Sequence, residues 1–200
     1  MSDITSICNA ALSHCGTRSK ISSLDEGSSE ANACLTHIAL VRDATLRLFD
    51  WNFARMTAGL AQLPHPTARW AYKYALPSDC LRLRRLNDRP LGEPATFCEL
   101  AADRDDSGAP IAVVLTDLAP ATAIYTARIT DVSRWDAGFV DAVTWGLASR
   151  ICFELTGRDE RARTLTQMWQ GSLMQAAAGS ANENALSALP RLPELLQVRR

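Results

Sequence analysis

In the first fifth of the chain Cys8, Cys15, Cys34 and His37 supply zinc-type ligands. Cys34 and His37 stand three apart, a spacing that lets two ligands share an ion on one helix face. Zinc, however, needs all its ligands within about 2.3 Å of one point. Cys8 and Cys15 are seven apart, which separates them by about 10 Å along a helix axis. Buried thiols acting as small hydrophobes are the better reading. All six cysteines (8, 15, 34, 80, 98, 152) are irregularly spaced in a chain too large to need a disulfide framework, so reduced thiols are expected.

Nucleophilic catalysis needs a base beside its nucleophile. The three histidines, His14, His37 and His65, lie in unrelated settings, and the adjacent side chains of His14 and Cys15 diverge on a helix. No G-x-S-x-G elbow, P-loop, G-x-G-x-x-G or H-E-x-x-H occurs. Asp103, Asp105 and Asp106 cluster in a hydrophilic stretch that reads as a solvated loop. No catalytic residue, metal or cofactor is expected.

The segment from Arg69 to Arg89 is richer. Arg69, Lys73, Arg82, Arg84, Arg85 and Arg89 lie close in sequence to Trp70, Tyr72 and Tyr74. Stacking platforms for single-stranded nucleic acid combine such groups, so a small nucleic-acid-binding module is one reading. The alternation favours another. Tyr72 and Tyr74 share a face with Trp70 while Lys73 takes the opposite one, and Leu81 and Leu83 alternate with Arg82 and Arg84. Strands with one face in the core give the same pattern.

These residues sit within a chain of 200 with 47% hydrophobic and 22% charged residues, ordinary values for a folded protein. A net charge of −1 supplies no global field toward nucleic acid or an acidic membrane. The start lacks a basic, apolar leader and no run reaches membrane-span length, so a soluble protein made in the cytoplasm is expected.

Helical spacing runs over 3–15, with Gly16 as the stop, and over about 28–48, where Ala31, Cys34/Leu35, Ile38, Val41, Thr45 and Leu48 form a stripe. Phe49, Trp51 and Phe53 are expected to anchor the exit of that helix. Residues 54–135 collect most of the prolines and lose the helical period. Within them, 111–116 and 122–130 read as a paired β unit. Helical signals return from Trp135, with Phe139, Val143, Leu147, Ile151 and Leu155 in line before Gly157. A last helix is predicted over 158–178, with Leu165, Met168, Ser172 and Ala176 inward.

The predicted fold is α+β: a mainly helical bundle of about four helices, a β-rich insert between the helix pairs, and an extended C-terminal tail. The helical body is 1–53 with 136–178, the insert 54–135 and the tail 179–200. Two prolines three apart oppose a regular helix in the tail, yet Leu186, Leu189, Leu192, Leu195, Leu196 and Val198 recur there. With Arg191, Arg199 and Arg200 as polar anchors, this segment reads as one that orders on a partner.

Four stretches, taken in order, resemble the tail tubular protein A-type head-to-tail adaptors of short-tailed bacteriophages. They are Ile7-Cys-Asn-Ala-Ala-Leu-Ser-His-Cys-Gly with Ile21-Ser-Ser-Leu-Asp-Glu; Val41-Arg-Asp-Ala-Thr-Leu-Arg-Leu-Phe-Asp-Trp-Asn-Phe-Ala; Trp70-Ala-Tyr-Lys-Tyr-Ala-Leu-Pro-Ser-Asp-Cys-Leu-Arg; and Tyr125-Thr-Ala-Arg-Ile-Thr-Asp-Val-Ser-Arg-Trp-Asp-Ala-Gly-Phe-Val-Asp-Ala, running into Leu147-Ala-Ser-Arg-Ile. The likeness spans most of 4–178, weakens over 90–120 and stops in the tail.

The resemblance implies a non-enzymatic structural protein of the virion at the head–tail junction. It implies a homo-oligomeric ring, dodecameric, beneath the portal protein. Such a ring extends the channel through which DNA is ejected without sequence recognition, and it gives the tail nozzle and tail-fibre proteins a platform. By the same likeness the helical body builds the ring and the tail docks on the portal. The 69–89 basic cluster would then lie at a subunit contact or along the DNA path.

Overall fold

Helix α1 (Ile4–Cys15) begins where the Asp3 carboxylate accepts the Ser6 N–H at 2.6 Å. It ends at Gly16, whose left-handed φ of 83° closes the last turn. Helix α2 (Ser29–Leu48) starts with the Ala31 N–H on Ser28 Oγ at 3.2 Å. Helix α3 (Ala137–Thr156) is capped by Asp136, which accepts the Phe139 N–H, and stops at Gly157 with φ 65°. Helix α4 spans Asp159–Ser187.

The computed structural model describes residues 3–64, 69–91, 97–105 and 107–187. The chain divides into two compact units. One, helical, comprises 1–45, 51–53 and 131 onward; the other, a β unit, comprises 46–50 and 54–130.

In the helical unit, Ile7, Cys8 and Leu12 of α1, Val41 of α2, Phe139, Val143, Leu147 and Ile151 of α3, and Leu165 of α4 are buried. Trp51 is fully buried, sets its ring edge-on to Phe139 at 5.1 Å and donates from Nε1 to the Thr45 carbonyl at 2.9 Å. Two residues placed inward by the periodicity of α2, Leu35 and Leu48, are exposed.

Helix α4 departs twice from the sequence expectation. Met168 is 52% exposed, and Trp169 turns toward α3 in its place, against Gly146. The helix also runs past Gly179 to Ser187, so that part of the predicted extended tail is helical. A helical glycine costs only about 1 kcal/mol, and no proline intervenes before Pro190. The segment is also tied down, because Asn52 Nδ2 donates to the Ser180 carbonyl at 2.8 Å and to Glu183 Oε2 at 3.1 Å.

Among the described residues the β unit has eight strands: β1 (Arg55–Gly59), β2 (Ala61–Leu63), β3 (Tyr72–Ala75), β4 (Cys80–Leu86), β5 (Arg89–Pro90), β6 (Cys98–Arg104), β7 (Pro110–Thr116) and β8 (Thr122–Ala127). They form two antiparallel four-stranded sheets, ordered β1-β8-β4-β5 and β2-β3-β7-β6. In the first, Arg55 lies opposite Thr126, so the opening strand pairs with the closing one. The β4–β5 hairpin turns at Asn87 and Asp88, both with positive φ, the twist that two-residue hairpin loops favour.

The strands expected to pair with each other, β7 and β8, lie in different sheets. Each already has two neighbours: β7 has β3 and β6, and β8 has β1 and β4. Val113–Thr116 is buried residue after residue, as befits a central strand rather than one arm of a hairpin. Among the described residues the protein is thus mixed α+β, with four α-helices and two antiparallel sheets. Among the described residues no helix is long and apolar enough to cross a membrane.

Candidate functional site

The last carbonyls of any helix lack intrahelical partners. At the end of α2 they meet the arginines of β4. Along β4, Leu81 and Leu83 are buried, whereas Arg82 is exposed and Arg84 half-buried. Arg84 Nη2 donates to the carbonyls of Leu46 at 3.3 Å, Arg47 at 3.1 Å and Phe49, and its Nε donates to Thr126 Oγ1 at 2.8 Å. Arg82 Nη1 donates to the Arg47 carbonyl at 3.0 Å. Arg47 reciprocates, donating to the carbonyl of Leu81. Burial, then the neighbouring Arg82 charge, pushes the Arg84 pKa down, while Asp50 opposes that shift.

The other members of the 69–89 cluster go elsewhere. Lys73 on β3 reaches across to Asp103 on β6 at 2.6 Å, and this bond holds the Asp103 carboxyl below its ordinary range. Asp103 therefore belongs to a strand and not to the solvated loop expected of it. Arg69 is largely exposed, 3.8 Å from Glu99 and with its guanidinium 5.3 Å from the Trp70 ring centroid. Arg85 is exposed, and Arg89 places its guanidinium 5.9 Å from the Phe97 ring. Of the six residues only Arg82 and Arg84 share an acceptor, the Arg47 carbonyl, so the cluster does not act as one patch.

The aromatics are committed as well. Trp70 and Tyr74 are buried; Trp70 Nε1 donates to Glu99 Oε2 at 3.0 Å and Tyr74 Oη to the Leu118 carbonyl at 3.2 Å. Tyr72 is half-buried, its ring 6.2 Å from that of Tyr74. Stacking on bases needs open ring faces beside cations, whereas here a carboxylate adjoins Trp70.

A cleft of about 880 Å3 opens in the β unit between β4 on one side and β6 and β7 on the other. Leu81, Leu83, Cys98, Leu100 and Val113 line it, together with Arg47, Arg82 and Arg84, and among the described residues no acidic side chain does.

Four of the six thiols, Cys8, Cys15, Cys34 and Cys152, lie in the helical unit's core, and Cys80 and Cys98 belong to the β unit. A hydrogen bond with Cys34 and burial together push the Cys8 thiol far up. Burial raises Cys15 to about 12, with Cys152 beside it. His37 Nε2 lies 3.7 Å from Glu154, and His14 stacks on Trp145 with ring centroids 3.8 Å apart. Among the described residues no group of three or more His, Cys, Asp or Glu is arranged to hold a metal ion. His65 lies outside the described residues.

Of the tail residues, Leu186 falls in the last turn of α4. Leu189, Arg191, Leu192, Leu195, Leu196, Val198, Arg199 and Arg200 lie outside the described residues. Arg47 and Glu99 were not among the candidates drawn from the sequence. Arg47 carried one usable signal, a cation in the last turn of a helix, where it complements the dipole. No protein-family model and no curated protein matches the chain.

Proposed function

We propose that the chain is a head-to-tail adaptor of a short-tailed bacteriophage, a structural subunit that assembles as a dodecameric ring under the portal protein. In this reading the ring extends the DNA channel and carries the tail nozzle and tail fibres, and residues 188–200 dock on the portal.

The observation that carries the proposal is the uncovered apolar surface of the helical unit. Leu35 and Leu40 of α2, Phe153 of α3 and Met168 and Met174 of α4 are each at least half exposed. Side chains of this size left open on three helices suit a subunit flanked by neighbours on more than one side, as head-to-tail ring contacts require. Near-neutral charge lets such copies pack without repulsion. The four stretches of sequence that resemble that family run in order along the chain.

The test is to mix the purified chain with the portal protein of the phage that encodes it and to image the product by negative stain. A ring seated on the portal is the expected result, lost when 188–200 are deleted. An intact complex without that segment defeats the docking assignment, and a monomer in every mixture defeats the adaptor reading.

A further inference from the structure

The cleft in the β unit lies between β4 and the β6–β7 pair. Among the described residues β6 ends its sheet, and all seven of its residues pair with β7 on one side only. Across the cleft, β5 pairs with β4 only at Arg85 and Leu86 and the Leu91 N–H bonds the Arg84 carbonyl, which leaves Cys80–Leu83 with no strand on that side among the described residues. Unpaired strand edges are templates for a further strand, and natural proteins usually blunt them with proline, a bulge or a cover. The pairing of β6 with β7 is unbroken from Cys98 to Arg104, and β6 contains no proline.

The side chains narrow the choice of occupant. Leu100, in the middle of β6, is 55% exposed, while Leu81, Leu83 and Val113 form an apolar floor. Arg47, Arg82 and Arg84 bring three positive charges to the lining, and among the described residues no carboxylate lines it. The volume lies within the range of about 300–1,000 Å3 typical of ligand clefts.

We propose that this cleft binds an extended segment of another protein, which adds to β6 as a fifth strand, places alternate apolar side chains against Leu81, Leu83 and Leu100, and sets a carboxylate against Arg47 and Arg82. Strand addition draws affinity from main-chain bonds and specificity from alternate side-chain pockets. The site uses the β unit alone, so it goes beyond the adaptor reading and stands or falls separately from it.

The test uses the full chain and two fluorescein-labelled hexapeptides, acetyl-Thr-Val-Glu-Val-Thr-Val and its counterpart with lysine for glutamate. Six extended residues reach about 20 Å, the span of β6. Fluorescence anisotropy should show saturable binding, with the glutamate peptide at least about tenfold tighter. Arg82→Glu, at an exposed position, should reverse that preference, and Leu100→Asp should weaken the glutamate peptide about tenfold. Hydrogen exchange should slow along 98–104 when peptide is bound. Absence of saturable binding, equal affinity for both peptides, or unchanged exchange in β6 overturns the proposal. So does a dimer of the chain that closes the cleft against peptide, or binding of decanoate where neither peptide binds.

Discussion

Gly146 of α3 lies directly beneath Trp169 of α4: a Cβ at position 146 would come within 2.9 Å of Trp169 Nε1 and equally near Val41 Cγ1. Three helices of the helical unit therefore meet at a residue without a side chain. Alanine there gains about 0.5–1 kcal/mol of helix propensity but overpacks a filled site, at a cost of about 1–3 kcal/mol. Gly146→Ala should be destabilising by about 1–2 kcal/mol, lowering Tm by about 2–8 °C in a chain of this size. An unchanged or raised Tm in calorimetry contradicts that close approach.

Arg84 closes the end of α2 through carbonyl acceptors and not through a carboxylate. Hydrogen bonds to a charged group contribute about 1.5–3 kcal/mol, and partial exposure puts Arg84→Ala toward the lower figure. Arg84→Lys should recover less than half of the loss, since an ammonium cannot serve Thr126 and three carbonyls as a planar fork does. Urea unfolding of both variants checks the order; a lysine variant as stable as the parent sinks it.

Thiol reactivity should follow burial. Cys15 is held at about 12 and Cys80 at about 11, so both are almost wholly protonated at pH 8. Cys80 is only half-buried, whereas Cys8, Cys15, Cys34, Cys98 and Cys152 are buried. With iodoacetamide at pH 8 the native chain should be modified slowly and at Cys80 first, and all six thiols should react promptly in denaturant. Peptide mass mapping reads the order, and early labelling of Cys15 would count against the packing of α1 on α3.

The turn before α2 offers a pH test. Glu26 accepts from Ser22 N–H at 2.8 Å, Ser22 Oγ at 2.7 Å and Ser28 Oγ at 2.7 Å. The Ser28 and Ser22 bonds lower its pKa from 4.5 to about 2. A folded pKa below the unfolded one means that the contribution is fully present above about 4.5 and is lost as pH falls toward 2. The Ser22 amide resonance should therefore shift with a midpoint near 2, and a midpoint near 4.5 would show that those bonds are not formed.

Much of the fold was legible because its signals are local. Asp3, Gly16, Asp136 and Gly157 mark helix ends by what their own atoms do, and the α3 stripe from Phe139 to Ile151 needs no partner to be recognised. The sheet partners of β7 and β8 were not legible. A buried run such as Val113–Thr116 states that neighbours exist on both sides without stating which. Met168 and Trp169 illustrate the same limit, since a shift of one position depended on Gly146 from another helix making room. The basic segment was half legible: alternation placed Arg82 and Arg84 on one face, but their acceptors are backbone carbonyls of residues 46–49, which no side-chain pattern advertises.

The pairing of Arg55 with Thr126 bears on how such a chain can change over time. Residues directly opposite in antiparallel strands sit about 4.5–5.5 Å apart, so the run from 55 to 126 begins and ends at neighbouring points of one sheet. Measured by its ends, everything between those two residues closes like a short loop, whatever its length. Strands can be gained, lost or exchanged there without rethreading the helical unit, and closure entropy grows only slowly with the length inserted. The helical framework and the β unit are free to diverge at different rates within a single polypeptide.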